Sequence, residues 1–262
     1  MFESLTKDMR ESGLLAEWFG QDCVDGDSDG RAGSDRAAFV YRKTRHRNLW
    51  PVDKHSQSWD EDSLFTAIEF IFDHVSKPTD GTIHSYNNCG MHFNAFDQAS
   101  GQADYQADVN EILDHSDLPF ELGLDGIVVR RAPLGLATMY EATLVPVAGS
   151  DYERVASHAI NLFRRRTASI EERRDAVKNL ADALEALRPQ VEAVLTSKDA
   201  ADLFELVNRF GIRHKNPRQK TEYDEAIFLS WMFNYLLSAL HASTRLIHRA
   251  SKAPGQKAVE HE

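Results

Sequence analysis

From Ala226 to Leu240 the chain is apolar at every position except Ser230, Asn234 and Ser238. No other stretch limits the fold so sharply. A helix that is apolar almost all round has to be covered by other helices or by a second subunit, so this run calls for a helical bundle. The three polar exceptions are four apart and stack on one face, and His241, Arg245 and His248 roughly extend that line. A polar stripe on a buried helix needs partners. The nearest candidates in sequence lie just upstream, where Gly211–Lys220 holds Arg213, His214, Lys215, Arg218 and Lys220, with Arg209 immediately before. Thr221 and Asp224 have the spacing of a helix cap, which predicts a helix over 222–249.

The residues before this segment continue the helical pattern. Tyr152, Val155, Ile160, Leu162 and Phe163 predict a helix over 151–166 that closes on Arg164-Arg165-Arg166, favourable at a C-terminus. Ser169 and Glu172 form a capping box for 170–187, where Val177, Leu180, Leu184 and Leu187 make a bundle seam. Pro189 is expected to end that helix, and 199–210 supplies another. Four helices with short connections argue for a bundle over 151–262.

Residues 1–150 are more mixed. Leu5, Leu14, Leu15, Trp18 and Phe19 predict one amphipathic helix over 3–19. A Gly/Asp/Ser-rich loop follows over 20–36, and in it Asp25-Gly-Asp27-Ser-Asp29-Gly30 opens like a calcium loop. The twelfth position, which needs a bidentate carboxylate, is Arg36, so a solvated turn is the expectation. Residues 38–51, with Lys43-Thr-Arg45-His46-Arg47, read as a strand edge or loop. A helix over 60–76 is capped within Asp60–Ser63 and stopped by Pro78. Next, His84, Cys89 and His92 put two imidazoles and a thiol within nine positions. That could begin a zinc site, but the spacing matches no pair of knuckles and the fourth ligand is undefined, so an aromatic-packed turn is preferred. A helix over 103–115 and a hairpin turning on Asp125-Gly126 complete the half. Pro133, Gly135, Pro146 and Gly149 suggest a boundary near residue 150. The fold class expected is α+β, predominantly helical: a small mixed α/β domain over 1–150, serving as sensor or regulator, then a helical bundle over 151–262.

A chain of 262 residues with 42% hydrophobic and 27% charged residues can bury a real core. No run reaches the roughly 20 apolar residues that cross a bilayer, so no membrane partner is expected. The first residues lack a basic start and an apolar core, and two cysteines make no disulfide framework; a reducing cytoplasm is the expected compartment. The net charge of −11 is uneven. Residues 1–150 carry 12 Lys/Arg against 25 Asp/Glu, and 151–262 carry 18 against 16, giving −13 and +2. A compact basic site in the second half can therefore still hold phosphate.

Arg209-Phe-Gly-Ile-Arg213-His214 resembles the Arg-x4-6-His signature of HEPN domains, four-helix bundles that are often metal-independent ribonucleases and commonly pair as dimers. The stretch from Asn208 to Asp224 is similar to AbiJ-type abortive-infection proteins of phage defence. So are Asp73-His-Val-Ser-Lys-Pro78, His84-Ser-Tyr86 and Cys89-Gly-Met-His92-Phe93. The resemblance implies a HEPN-like bundle that cleaves RNA by 2′-hydroxyl attack, with no metal or cofactor. It implies Arg209 and His214 as the catalytic pair, since imidazole titrates near neutrality and guanidinium is a fixed positive fork. Arg213, Lys215, Asn216, Arg218, Lys220, Ser230 and Asn234 are the expected substrate-binding residues. The expected partners are RNA, a second copy of the chain meeting through Ile227, Phe228, Trp231, Phe233, Tyr235 and Leu236, and a defence-system protein. Two alternatives stand beside this: a non-catalytic HEPN-like module binding nucleotide, RNA or protein, and a zinc-dependent enzyme built on His84, Cys89 and His92. No catalytic metal is expected in residues 1–150.

Overall fold

The structure, a computed structural model, describes residues 1–209 and 224–252, and of 207–209 the backbone alone. It is α+β and predominantly helical, and the chain divides into two compact units, Met1–Arg130 and Arg131–Glu262.

The first unit opens with α1 (Phe2–Glu11) and α2 (Ala16–Phe19) where one helix was expected. The break falls at Gly13, whose φ of 81° is left-handed and against which the Phe93 ring is packed so closely that a Cβ would overlap it. Helix α3 (Arg36–Thr44) replaces the expected strand edge or loop. Its start is fixed by Asp35, whose carboxylate accepts from the Ala38 amide at 2.9 Å. The basic cluster 43–47 thus lies at a helix end, with the Arg47 guanidinium over the Tyr41 ring. After α4 (Val52–His55), α5 (Glu61–Phe72) runs through the middle of the core, capped by Asp60 through the Ser63 amide at 2.8 Å. Phe65, Ile68 and Ile71 are buried on it. It stops at Phe72, short of the expected 76, and Pro78 lies in a strand instead of ending the helix.

That strand is β1 (Lys77–His84), which pairs antiparallel with β2 (Gly90–Asp97) in a hairpin absent from the sequence reading. Helix α6 (Gln98–His115) follows, capped by Asp97, and begins earlier than 103. The turn on Asp125-Gly126 was legible: β3 (Phe120–Leu122) pairs with β4 (Val128–Arg130). Asn110 of α6 binds both backbone groups of Leu122, accepting at 2.7 Å and donating at 3.1 Å, so this short hairpin is held to the helix.

In the second unit α7 (Ala137–Glu141) precedes α8 (Tyr152–Arg164), α9 (Ile170–Ala186), α10 (Arg188–Val194), α11 (Ser197–Arg209) and α12 (Glu225–Lys252). The division falls ahead of residue 150 because Tyr140, Leu144 and Val147 belong to the helical core. The capping box at Ser169 and Glu172 forms, and Val177, Leu180 and Leu184 are fully buried. Pro189 lies in the first turn of α10, where its missing N–H costs nothing, so a further helix begins where the sequence suggested only an end. Asp224 itself caps α12, accepting from the Ile227 amide at 3.0 Å; Thr221 lies outside the described residues. On α12, Met232, Phe233, Leu236 and Leu240 are fully buried within the unit, and Phe233 stacks on Phe163 at 4.0 Å. Phe233 and Leu236 are therefore core residues, not the intersubunit contacts the sequence reading assigned them. Ile227 and Trp231 are exposed. Among the described residues no helix is long and apolar enough to cross a membrane.

Candidate functional site

In the first unit, four side chains from two separate stretches converge. His84 ends β1, Cys89 follows a 3₁₀ turn at Tyr86–Asn88, and His92 lies on β2, so the hairpin brings its two imidazoles and its thiol together. The fourth member is Cys23, from the loop between α2 and α3. The donor atoms of Cys23, His84, Cys89 and His92 all lie within 4.8 Å of one another. His84 Nδ1 is 3.6 Å from Cys23 Sγ, and His92 Nε2 is 3.2 Å from Cys89 Sγ. All four residues are half-buried.

The loop that carries Cys23 is shaped by the residues that looked like a calcium sequence. The Cys23 amide donates to Asp27 Oδ1 at 3.1 Å, and the Asp25 amide donates to Cys23 Sγ at 3.4 Å. Asp25 Oδ2 faces His84 Nε2 at 3.3 Å, on the far side of the ring from the cysteine. Gln21 ties the loop to the hairpin: its Oε1 accepts from the Phe93 amide at 2.8 Å. The Asp25 amide lowers the Cys23 pKa, but burial and the adjacent Cys89 thiol raise it more, so the thiol ends above its ordinary range. Two thiols and two imidazoles at such separations suit a tetrahedral S₂N₂ metal shell. The sequence reading left the fourth ligand undefined. It is the chain's other cysteine, 61 positions before His84, and the presence of two cysteines in all was the available signal.

In the second unit the polar stripe of α12 meets α7. The Tyr140 hydroxyl donates to Asn234 Oδ1 at 2.7 Å, and Asn234 Nδ2 donates to the Ser230 carbonyl at 2.8 Å. His241 Nε2 donates to the Met139 carbonyl at 2.9 Å. Burial lowers the His241 pKa and pushes Tyr140 up to about 12, so both stay neutral near pH 7. The Arg164 guanidinium lies over the Tyr140 ring at 5.3 Å. Among the described residues Asn234 thus has a tyrosine partner, and the basic segment to which the sequence pointed lies outside them. Tyr140 and Arg164 carry no motif that would have marked them. Arg209 is the last residue of α11, and its side chain is outside the described residues. So are Arg213, His214, Lys215, Asn216, Arg218 and Lys220.

No protein-family model, characterised protein or solved structure matches this chain.

Proposed function

We propose that the helical unit is a HEPN-like, metal-independent endoribonuclease of a phage-defence system, acting in the cytoplasm on RNA. The sequence supports it beyond the resemblance: Arg209 is the last described position of α11, and residues 210–223, between it and the Asp224 cap of α12, include His214 and the cations Arg213, Lys215, Arg218 and Lys220. In this reading His214 takes the proton of the attacking 2′-hydroxyl as oxygen bonds to phosphorus and the 5′-oxygen leaves. Arg209 faces the charge that builds on the phosphorane oxygens, and Arg213, Lys215, Asn216, Arg218 and Lys220 hold the RNA backbone. Asn234, held by the bond from Tyr140, and Ser230 act as positioning residues. The exposed Ile227 and Trp231 on the first turns of α12 are the proposed contact with a second copy, which would bring two such segments together.

A second reading is favoured by Phe210, since many members of the family have a small polar residue after the arginine: a HEPN-like module that binds RNA, nucleotide or protein without cutting. Incubation of the purified chain with total RNA, with and without EDTA, followed by end mapping, separates the two. Cleavage by the wild type is expected to fall by about 10²–10⁴ in His214→Ala, as for loss of a proton-transfer group, and comparably in Arg209→Ala. Cleavage by His214→Ala at the wild-type rate would refute the mechanism. A wild type that binds RNA but never cuts it, with its defence partner supplied, would establish the second reading.

A further inference from the structure

The geometry points to a structural zinc site in the first unit, with Cys23, His84, Cys89 and His92 as its four ligands. It is independent of the nuclease proposal, because it concerns the other unit and is read from metal content.

An ion with bonds of about 2.3 Å to sulfur and about 2.0 Å to nitrogen, at tetrahedral angles, puts a sulfur and a nitrogen ligand about 3.5 Å apart. The sulfur–nitrogen pairs here are 3.6 Å for Cys23 with His84 and 3.2 Å for Cys89 with His92. All four donors fall within the same small sphere. Simple thiol–imidazole pairing would join two residues; it would not draw both pairs together.

The surroundings of the ligands agree. A metal-bound imidazole commonly gives its other N–H to a carboxylate, which fixes the tautomer and the ring orientation. His84 turns Nδ1 to the cluster and Nε2 to Asp25 at 3.3 Å. The same residue's backbone N–H donates to Cys23 Sγ at 3.4 Å, so Asp25 touches two of the four ligands. The acidic loop therefore serves the ligands.

The fold also shows what such an ion would do. None of residues 77–97 is buried, so the β1–β2 hairpin has no apolar core, and in the loop 20–35 only Ala32 is buried. A two-stranded hairpin without a buried face is marginal in water. Four bonds to one ion would join the hairpin's turn end to the loop and supply the missing cohesion. A soft-to-borderline S₂N₂ shell selects zinc over magnesium or calcium. Four protein ligands leave no open position for water or substrate, so the site is structural and performs no hydrolysis.

The test measures metal, by mass spectrometry of protein purified without chelator in zinc-supplemented medium. About one zinc per chain is expected, as for other closed four-ligand sites. Cys23→Ser and Cys89→Ser should lose it, while His92→Cys, which exchanges one good ligand for another, should keep it. Asp25→Asn keeps all four ligands and should weaken zinc binding by about 10–100-fold in a chelator competition. Cobalt in place of zinc should give the visible bands of a tetrahedral thiolate complex. Chelation should speed amide exchange in 20–35 and 77–97 and leave the helical unit unchanged. Three results would each overturn the proposal: wild-type protein free of zinc under these conditions, Cys23→Ser retaining zinc at wild-type affinity, or a Cys23–Cys89 disulfide mapped in protein kept under reductant.

Discussion

Replacing Gly101 by alanine should destabilise the first unit, although alanine is the better helix former. Gly101 is buried within α6, and a Cβ there would lie 2.6 Å from the Lys77 nitrogen and 2.8 Å from the Ser76 Cα and carbonyl carbon. Comfortable contact between such atoms is about 3.5–4.0 Å. The clashing atoms are backbone, and the Ser76 amide is itself bonded to the Leu14 carbonyl at 2.9 Å, so neither can swing aside. Helix propensity favours alanine by about 1 kcal/mol. Overpacking costs about 1–3 kcal/mol, and a clash against fixed backbone belongs at the upper end. The balance is a loss of about 2 kcal/mol, or roughly 6–10 °C in Tm for a unit of this size. Thermal unfolding followed by circular dichroism measures it, with hydrogen exchange across β1 reporting the local change. Ala103→Gly, an exposed position on the same helix, is the control and should lose about 1 kcal/mol by propensity alone. A Gly101→Ala protein as stable as the wild type, or more so, would show that α6 and the start of β1 do not approach this closely.

Burial lowers the His74 pKa, helped slightly by Lys43 and opposed by Asp73 and by the bond from Nδ1–H to the Phe70 carbonyl at 2.6 Å. The unfolded ring binds its proton near pH 6.5, where the folded ring resists it, so stability present above about pH 6.5 is lost as pH falls towards the folded pKa. Urea midpoints measured down that range should drop more for the wild type than for His74→Gln; equal slopes would remove His74 as the cause. The proposed dimer should appear as such in light scattering at micromolar concentration and become monomeric in the Ile227→Asp, Trp231→Ala double variant, and a monomeric wild type would dismiss it.

The features legible in the sequence are those whose physical cause is local. Asp60, the Ser169–Glu172 box and Asp224 satisfy amides within three positions of themselves, and the 3.6-residue period of α9 records which of its faces is buried. The Asp125-Gly126 hairpin is likewise set by its own turn. Where a distant residue intervenes, the local signal misleads. The first helix breaks at Gly13, against which Phe93 of the distant β2 packs, and Asn234 accepts a bond from Tyr140 of α7, a partner no spacing in the sequence marks. The β1–β2 hairpin left no alternation to read, because neither of its faces is buried and nothing selects an apolar period. Cys23 is the sharpest case. Its side chain joins His84, Cys89 and His92 only when the α2–α3 loop lies along the hairpin, and a contact across 61 residues imposes no spacing rule on the residues between. Sequence alone determined where the locally capped helices α5 and α9 start and which face α9 buries, whereas the tertiary structure decided which four donors meet, because that depends on how the chain returns to itself.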